Sequence, residues 1–315
     1  MTVRIGIFGA TQDTQTQALT REVTALGADS LVIESQALEL GEPLSFADGR
    51  AFYRRQPLED VRAFFLRFVP LPHLPALERE GELHLHKDWF VRYMQSRERA
   101  AVFLAWLLQL QHQGTPLVNP PQAASVLQLK PFQLHALRSL GAQVPRTLVS
   151  NDPEQVRAFH AELQDVIYKP VMGGALTRPL DEEALARLDG VRQSPVIFQE
   201  RVPGEDVRVV LVGEDVVSCA AIVTPEQHLD FRADPVYSSG QAAYREVRLP
   251  AQVEELCRRA ARLCGLVFAG IDIKRQGDRY VFLELNSSPV YYDVELKLGH
   301  RITAALARYL VDKAR

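Results

Sequence analysis

The 315 residues carry 36 Lys and Arg against 39 Asp and Glu, a formal net charge of −3, which gives no general attraction to nucleic acid or to an anionic membrane. With 47% hydrophobic and 24% charged residues, the make-up is that of an ordinary soluble globular protein, long enough for two or three domains. The three cysteines, Cys219, Cys257 and Cys264, form neither a CxxC pair nor an even set; that speaks against a disulfide framework or a structural zinc site and points to a reducing cytoplasm.

In chain order, "VRIGIF" reads as a strand without the features of a signal peptide, "TQALTREVTALG" as a helix stopping at Gly27, and "SLVIE" as a second strand. That alternation predicts a small α/β layer with parallel strands. "GIFGAT" lacks GxGxxG spacing and reads as a plain βα turn. "AFFLRFVPLPHLP" is a strand running into a Pro-rich loop. "AAVFLAWLLQL" is too short to cross a bilayer; it is expected as a core helix with Ser96 as N-cap and Gly114 as stop. "LVNPP" marks a boundary, and helical stretches around Lys130 and Pro131 follow, ending at Gly141. "VPRTLVS", "DVIYKPV" and "PVIFQERV" are strands, with a helix opening at Asp152-Pro153-Glu154 and a Gly173-Gly174 loop between them. "DVRVVLVGEDVVSCAAIV" is an antiparallel hairpin turning at Gly213-Glu214. A helix runs from near Pro250 to Gly265, and "VFAGIDIKRQGDRYVFLELN" is a second hairpin turning at Gln276-Gly277-Asp278. "VELKLGHRITAALARYLVDKAR" closes the chain as one amphipathic helix.

The second hairpin contains the strongest chemical signal. Asp272 lies between two isoleucines and so points away from their face. A turn centred near Asp278 sets it opposite Glu284, with Asn286 two residues further along on the same face. Like charges about 5 Å apart on facing strands repel, and a hard divalent cation with oxygen ligands relieves that repulsion. The competing reading leaves both acids on a solvent face, paired with Lys274 or Arg279. A third makes the two acids an acid–base couple, which leaves Asn286 without a role.

A metal-bound polyphosphate needs cations. Lys130 precedes Pro131 between helical segments, and Lys169 ends a strand beside a Gly-Gly loop, where backbone N–H groups can close over phosphate oxygens. Each lysine taken singly also reads as a solvated surface residue. "FQERVPGED" breaks from strand into a Pro-Gly linker. A purine fits against such a linker, its edge read near Arg201 and Val202, its amine bonded to Glu200, and its ribose held by Asp206, or by Glu205 as second choice; the plainer reading is an interdomain linker with surface acids.

"NPPQAASVLQLKPFQLHALRSLGAQVPRT", "VIYKPVMGGA", "FQERVPGEDVRVVLVG", "LDFRAD" and "GIDIK…VFLELNSSP", in that order, resemble the ATP-grasp superfamily, and most of all its ribosomal-protein glutamate ligase (RimK) and glutathione synthetase branch, over residues 117–315. The resemblance implies an α/β pre-grasp domain at residues 1–115, then a two-subdomain α+β clamp at 116–195 and 196–315. It implies that Lys130 and Lys169 contact nucleotide phosphates, that Glu200, Arg201 and Val202 read adenine, and that Asp206 holds the ribose. Asp272, Glu284 and Asn286 would carry one or two Mg²⁺, with Mn²⁺ as a substitute. Arg208 and Arg232 would face the acyl phosphate and the incoming substrate. The implied reaction is ATP-dependent ligation of a carboxylate to an amine, on an amino acid, peptide or protein, in a cytoplasmic homo-oligomer. A kinase on the same clamp and a nucleotide-binding regulator without turnover are the alternatives. The chain departs from the family in a lid with few glycines, in Ser288-Pro289-Val290 where relatives tend to have Ser-Pro-Gly, and in "FRAD" where an asparagine is common. These changes lie near the expected acceptor site and imply a different substrate.

Overall fold

The computed structural model describes residues 2–35, 38, 41–67, 69, 76–79, 82–126, 128–172, 175–223 and 229–315. The expected Gly173-Gly174 loop lies outside the described residues, as does most of the Pro-rich segment after residue 67. Contacts divide the chain into two units, Met1–Pro121 with Thr303–Arg315, and Gln122–Ile302. Among the described residues no helix is long and apolar enough to cross a membrane.

The first unit is built on a parallel sheet ordered Asp29–Glu34, Arg4–Gly9, Val61–Leu66, Leu117–Val118. Its helix Thr14–Ala25 starts at Asp13, whose carboxylate accepts the Thr16 N–H, so the turn after the first strand is a capped βα junction. An aromatic cluster fills the core: Phe8 lies 4.2 Å from Phe103, and Phe64 meets Trp106 edge to face at 5.2 Å.

Helix Trp89–His112 corrects one expectation. It begins seven residues before Ser96, which is buried inside it rather than capping it. No Gly or Pro interrupts residues 89–95, so the helix continues back to Asp88.

The second unit holds two sheets. The first is antiparallel, ordered Thr147–Ser150, Val196–Glu200, Val166–Lys169, Arg178–Pro179, with the helix Pro153–Leu163 starting at an Asp152 cap and Pro153. The second has five antiparallel strands, ordered Ala243–Glu246, Asp215–Val223, Glu205–Val212, Phe268–Gln276, Arg279–Asn286. Its hairpins turn at Gly213 and Gly277, both at positive φ. One face packs a core of Val207, Val209, Ile271, Ile273, Phe282 and Leu285 against residues of the helices Ala251–Leu263 and Lys130–Ser139.

Three limits fall elsewhere than the sequence places them. Strand Val196–Glu200 pairs with Thr147–Ser150 on one side and Val166–Lys169 on the other and so belongs to the earlier sheet, not to a segment opening at 196. Ala136 and Leu137 pack on the later sheet, because the helix that carries them has an apolar face to bury there. The closing helix is two, Tyr292–Leu298 and Ile302–Ala314, broken where Gly299 adopts φ +69° and ends the first. The second of these helices, from Thr303 on, groups with the first unit.

Candidate active site

The face of the five-stranded sheet opposite its core carries charge. Arg208 lies directly across from Asp272, and Asp272 across from Glu284, so three neighbouring strands present a row of ionised side chains. The turn at Gly277 and Asp278 pairs Gln276 with Arg279, a register that on its own would set Asp272 opposite Leu283. A bulge shifts the register after the Ile273–Phe282 pair. Leu283 is the extra residue, and through it both Phe282 and Leu285 reach the core while Glu284 joins Asp272 on the outer face.

The row ends on a helix. Lys130 Nζ donates to Glu284 Oε2 at 2.7 Å, with both side chains about one-fifth exposed or less. Three residues later, Gln133 is buried and its Oε1 accepts the Leu285 N–H at 2.9 Å, while Gln143 O accepts the Phe282 N–H. The sheet's last strand therefore has its free edge covered by residues 130–143, and that docking holds Lys130 in place. Arg208 grips Asp272 with two prongs, Nε to Oδ1 at 2.8 Å and Nη2 to Oδ2 at 3.0 Å. Asn286 Nδ2 lies 3.1 Å from the same Oδ2.

These contacts set the protonation states. Burial opposes ionisation of Glu284, but Lys130, Lys169 and Arg232 outweigh it and hold its carboxyl below the usual range. Burial depresses the Lys169 ammonium, with Glu284 opposing. Burial disfavours the charged Arg208 guanidinium, yet Asp272 more than compensates and raises its pKa above the ordinary arginine value. One row along, Asp206 pairs with Lys274 at 2.8 Å; burial pushes the Asp206 carboxyl up and Lys274 pulls it back. Lys274 and Arg279 thus do not neutralise the acidic pair: Lys274 serves Asp206, and Arg279 Nε donates to Gln143 Oε1.

The eleven residues that the ATP-grasp resemblance assigns to the site line one cavity of about 530 Å³: Lys130, Lys169, Glu200, Arg201, Val202, Asp206, Arg208, Arg232, Asp272, Glu284 and Asn286; Glu205, the second choice for the ribose, is not among its lining and pairs with Arg245 and Arg275. Pro145, Ile167 and Leu283 are among the cavity's apolar lining, which sequence reasoning missed because isolated apolar residues carry no motif. Lys274, Asp230 and Phe231 were also missed as site residues; the ring of Phe231 lies 5.6 Å from the Arg208 guanidinium. The linker is narrower than expected as a reader of a base edge. The N–H groups of Glu200 and Arg201 are bonded to Arg146 O and Asp165 O, and among the described residues Val202 N–H has no backbone partner. Gly204 sits at φ +126° with its Cα so close to Arg275 O that a Cβ would lie 2.5 Å from it, so the linker's path requires glycine.

Two carboxylates and an amide in reach of one another on one sheet face suit a hard divalent cation. Among the described residues no group of three His, Cys, Asp or Glu is placed to hold a metal ion; the third donor here is an amide.

Apolar, basic and acidic side chains thus meet in one cavity, a combination that suits a phosphorylated ligand with a divalent cation. A RimK-like ATP-grasp domain matches residues 128–310, and the chain belongs to that family. It is 34% identical to the ATP-grasp ligase PsnB, solved in complex with a minimal precursor, over 99% of this chain and 100% of that one, with a TM-score of 0.82. A probable alpha-L-glutamate ligase of Alkalilimnicola ehrlichii is 27% identical over 78% of this chain and 83% of its own length. A glutathione synthetase of Agrobacterium fabrum is 26% identical over 87% and 85%.

Proposed function

We propose that this ligase activates a carboxylate of a peptide with ATP and joins it to an amine. The observation that carries the chemistry is the convergence of Lys130, Lys169, Arg208 and Arg232 on the cavity that holds Asp272, Glu284 and Asn286. The peptide substrate rests on likeness to PsnB along the whole chain, a protein solved with a precursor peptide and with Mg and ADP.

In this reading adenine lies between Ile167 and Leu283, with its edge at Val202 N–H and its amine at the Glu200 carboxylate. Asp206 takes the ribose hydroxyls, steadied by Lys274. Lys130 and Lys169 hold phosphate oxygens; burial of Lys169 strengthens each contact by excluding water. Asp272, Glu284 and Asn286 would hold Mg²⁺ or Mn²⁺, which supplies positive charge to the phosphates. Arg208 and Arg232 face the substrate carboxylate and the phosphoryl group passing to it, so their work is positioning and charge neutralisation. The amine then displaces phosphate through an oxyanion that the same guanidiniums stabilise. A homo-oligomer in the cytoplasm completes the proposal.

The test is an ADP-release screen with Mg-ATP across amino acids and Glu- or Asp-containing peptides. Ligation gives one ADP and one phosphate per bond, with ¹⁸O moving from carboxylate to phosphate. A stable phosphorylated product would make the protein a kinase, turnover on free amino acids alone would remove the peptide, and a base-labile product would replace the amine by a hydroxyl.

A further inference from the structure

Asp230 has more partners than a turn residue needs. Its Oδ1 accepts the Arg232 N–H at 3.1 Å, which is an ordinary local cap. The same carboxylate takes the Arg232 guanidinium in a fork, Nε to Oδ1 at 2.8 Å and Nη2 to Oδ2 at 2.6 Å. Its Oδ2 also accepts the backbone N–H of Thr177, 53 residues earlier, at 3.1 Å. Thr177 immediately precedes Arg178–Pro179, the edge strand of the other sheet in this unit. Asp230 is 8% exposed, while the Arg232 side chain is 49% exposed and lines the cavity. Burial works against the charge on Asp230, but Arg232 and the Thr177 N–H outweigh it and keep the carboxyl ionised.

We infer that Asp230 is a positioning residue: its single carboxylate aims Arg232 into the cavity and pins the edge segment at Thr177 to the same loop. The cation is then in place only while that edge is held down on the site. Two-pronged guanidinium–carboxylate contacts fix direction as well as distance, which a one-point contact does not. The inference deepens the proposed function and rests on Arg232 facing the transferred phosphoryl group.

The experiment uses the full-length protein loaded with Mg-ADP, inorganic phosphate as the probe, and amide hydrogen exchange as a second readout. Asp230→Asn keeps one acceptor for the local cap and loses both the fork and the acceptor of the Thr177 N–H. It should weaken phosphate binding about 10-fold, as expected for losing a charge-assisted pair, with ADP affinity and melting temperature nearly unchanged. Arg232→Ala should weaken phosphate at least as much, and the double variant should bind it no more weakly than Arg232→Ala alone. Asp230→Ala should speed exchange at Thr177 about 10-fold or more and leave the buried Leu285 amide as it was. If the two effects on phosphate multiply, or Thr177 exchange does not change, Asp230 does not position the site. If Arg232→Ala leaves phosphate affinity intact, the role given to Arg232 under the proposed function fails instead, and Thr177 exchange alone then decides whether Asp230 ties down the edge. Should Asp230→Ala not fold, Thr177→Pro removes the donor N–H together with the hydroxyl and the freedom of φ, so it must weaken phosphate binding well beyond Thr177→Ala, which keeps the N–H, for the tie to stand.

Discussion

The two faces of the five-stranded sheet are made by alternate residues of the same strands, yet they obey different physics. On one face Ile271, Ile273, Phe282 and Leu285 are at most 1% exposed and hold the fold by excluding water. On the other, Arg208, Asp272 and Glu284 stand in a line that ends on Lys130, each charge offset by a neighbour. The apolar face gives about 1.5–3 kcal/mol for each large side chain it buries. The charged face gives little net stability, since desolvation consumes much of what pairing returns. Its value is a set of charges already held in position, which a nucleotide and metal meet without reorganisation.

That contrast is open to direct attack. Glu284→Ala strikes the charged face at the carboxylate that Lys130, Lys169 and Arg232 together hold ionised. Turnover should fall by about 10³-fold or more, on the scale of losing a principal electrostatic group, while ADP affinity by calorimetry stays within a few-fold. Normal turnover in this variant would remove the metal site. Ile271→Ala, one residue from Asp272 but on the other face, should cost about 2–5 kcal/mol in urea unfolding and leave the KM for ATP close to wild type. A large rise in KM at unchanged stability would mean that the two faces are not separable.

Leu283→Ala removes one wall of the apolar slot without touching the core. Nucleotide should bind about 10-fold more weakly, with AMP, ADP and ATP affected alike. A loss confined to ATP would place Leu283 at the phosphates instead. Lys169→Met should raise the melting temperature by a few degrees at neutral pH, because burial disfavours the ammonium there, and should lower ATP affinity. A destabilised variant would show that Glu284 needs Lys169 more than burial penalises it.

The smallest effect is in acid. The Glu284 carboxyl is held below its ordinary 4.5, so its contribution is complete above that value and is lost as pH falls through the lower, folded-state value. The stability gap between wild type and Glu284→Gln should be flat from neutral pH down to about 4.5 and close below it. A gap that closes already near pH 6 would contradict the depressed state.

Much of this was readable in the chain. Asp272 between two isoleucines had to face away from the core, and Gly277-Asp278 had to turn the hairpin. The Asp152-Pro153 cap and the Gly213 hairpin stand where local chemistry puts them. Ser96 has the composition of a cap, so the sequence predicts too late a start for the long helix, and only burial shows the residue inside it. The sequence predicts one continuous closing helix because its apolar period runs across Gly299, where the backbone turns left-handed.

By itself, then, the sequence determined which residues alternate, where the chain turns, and which acids and bases come in the ATP-grasp order, since these depend on near neighbours and on strand period. Tertiary structure alone decided the partners. The bulge at Leu283 moves Glu284 onto the face of Asp272, Gln133 docks the helix that brings Lys130 across 154 residues, and Asp230 joins Thr177 to Arg232. Such pairings come from packing between segments distant in the chain, and a repeat of two or 3.6 residues carries no record of them.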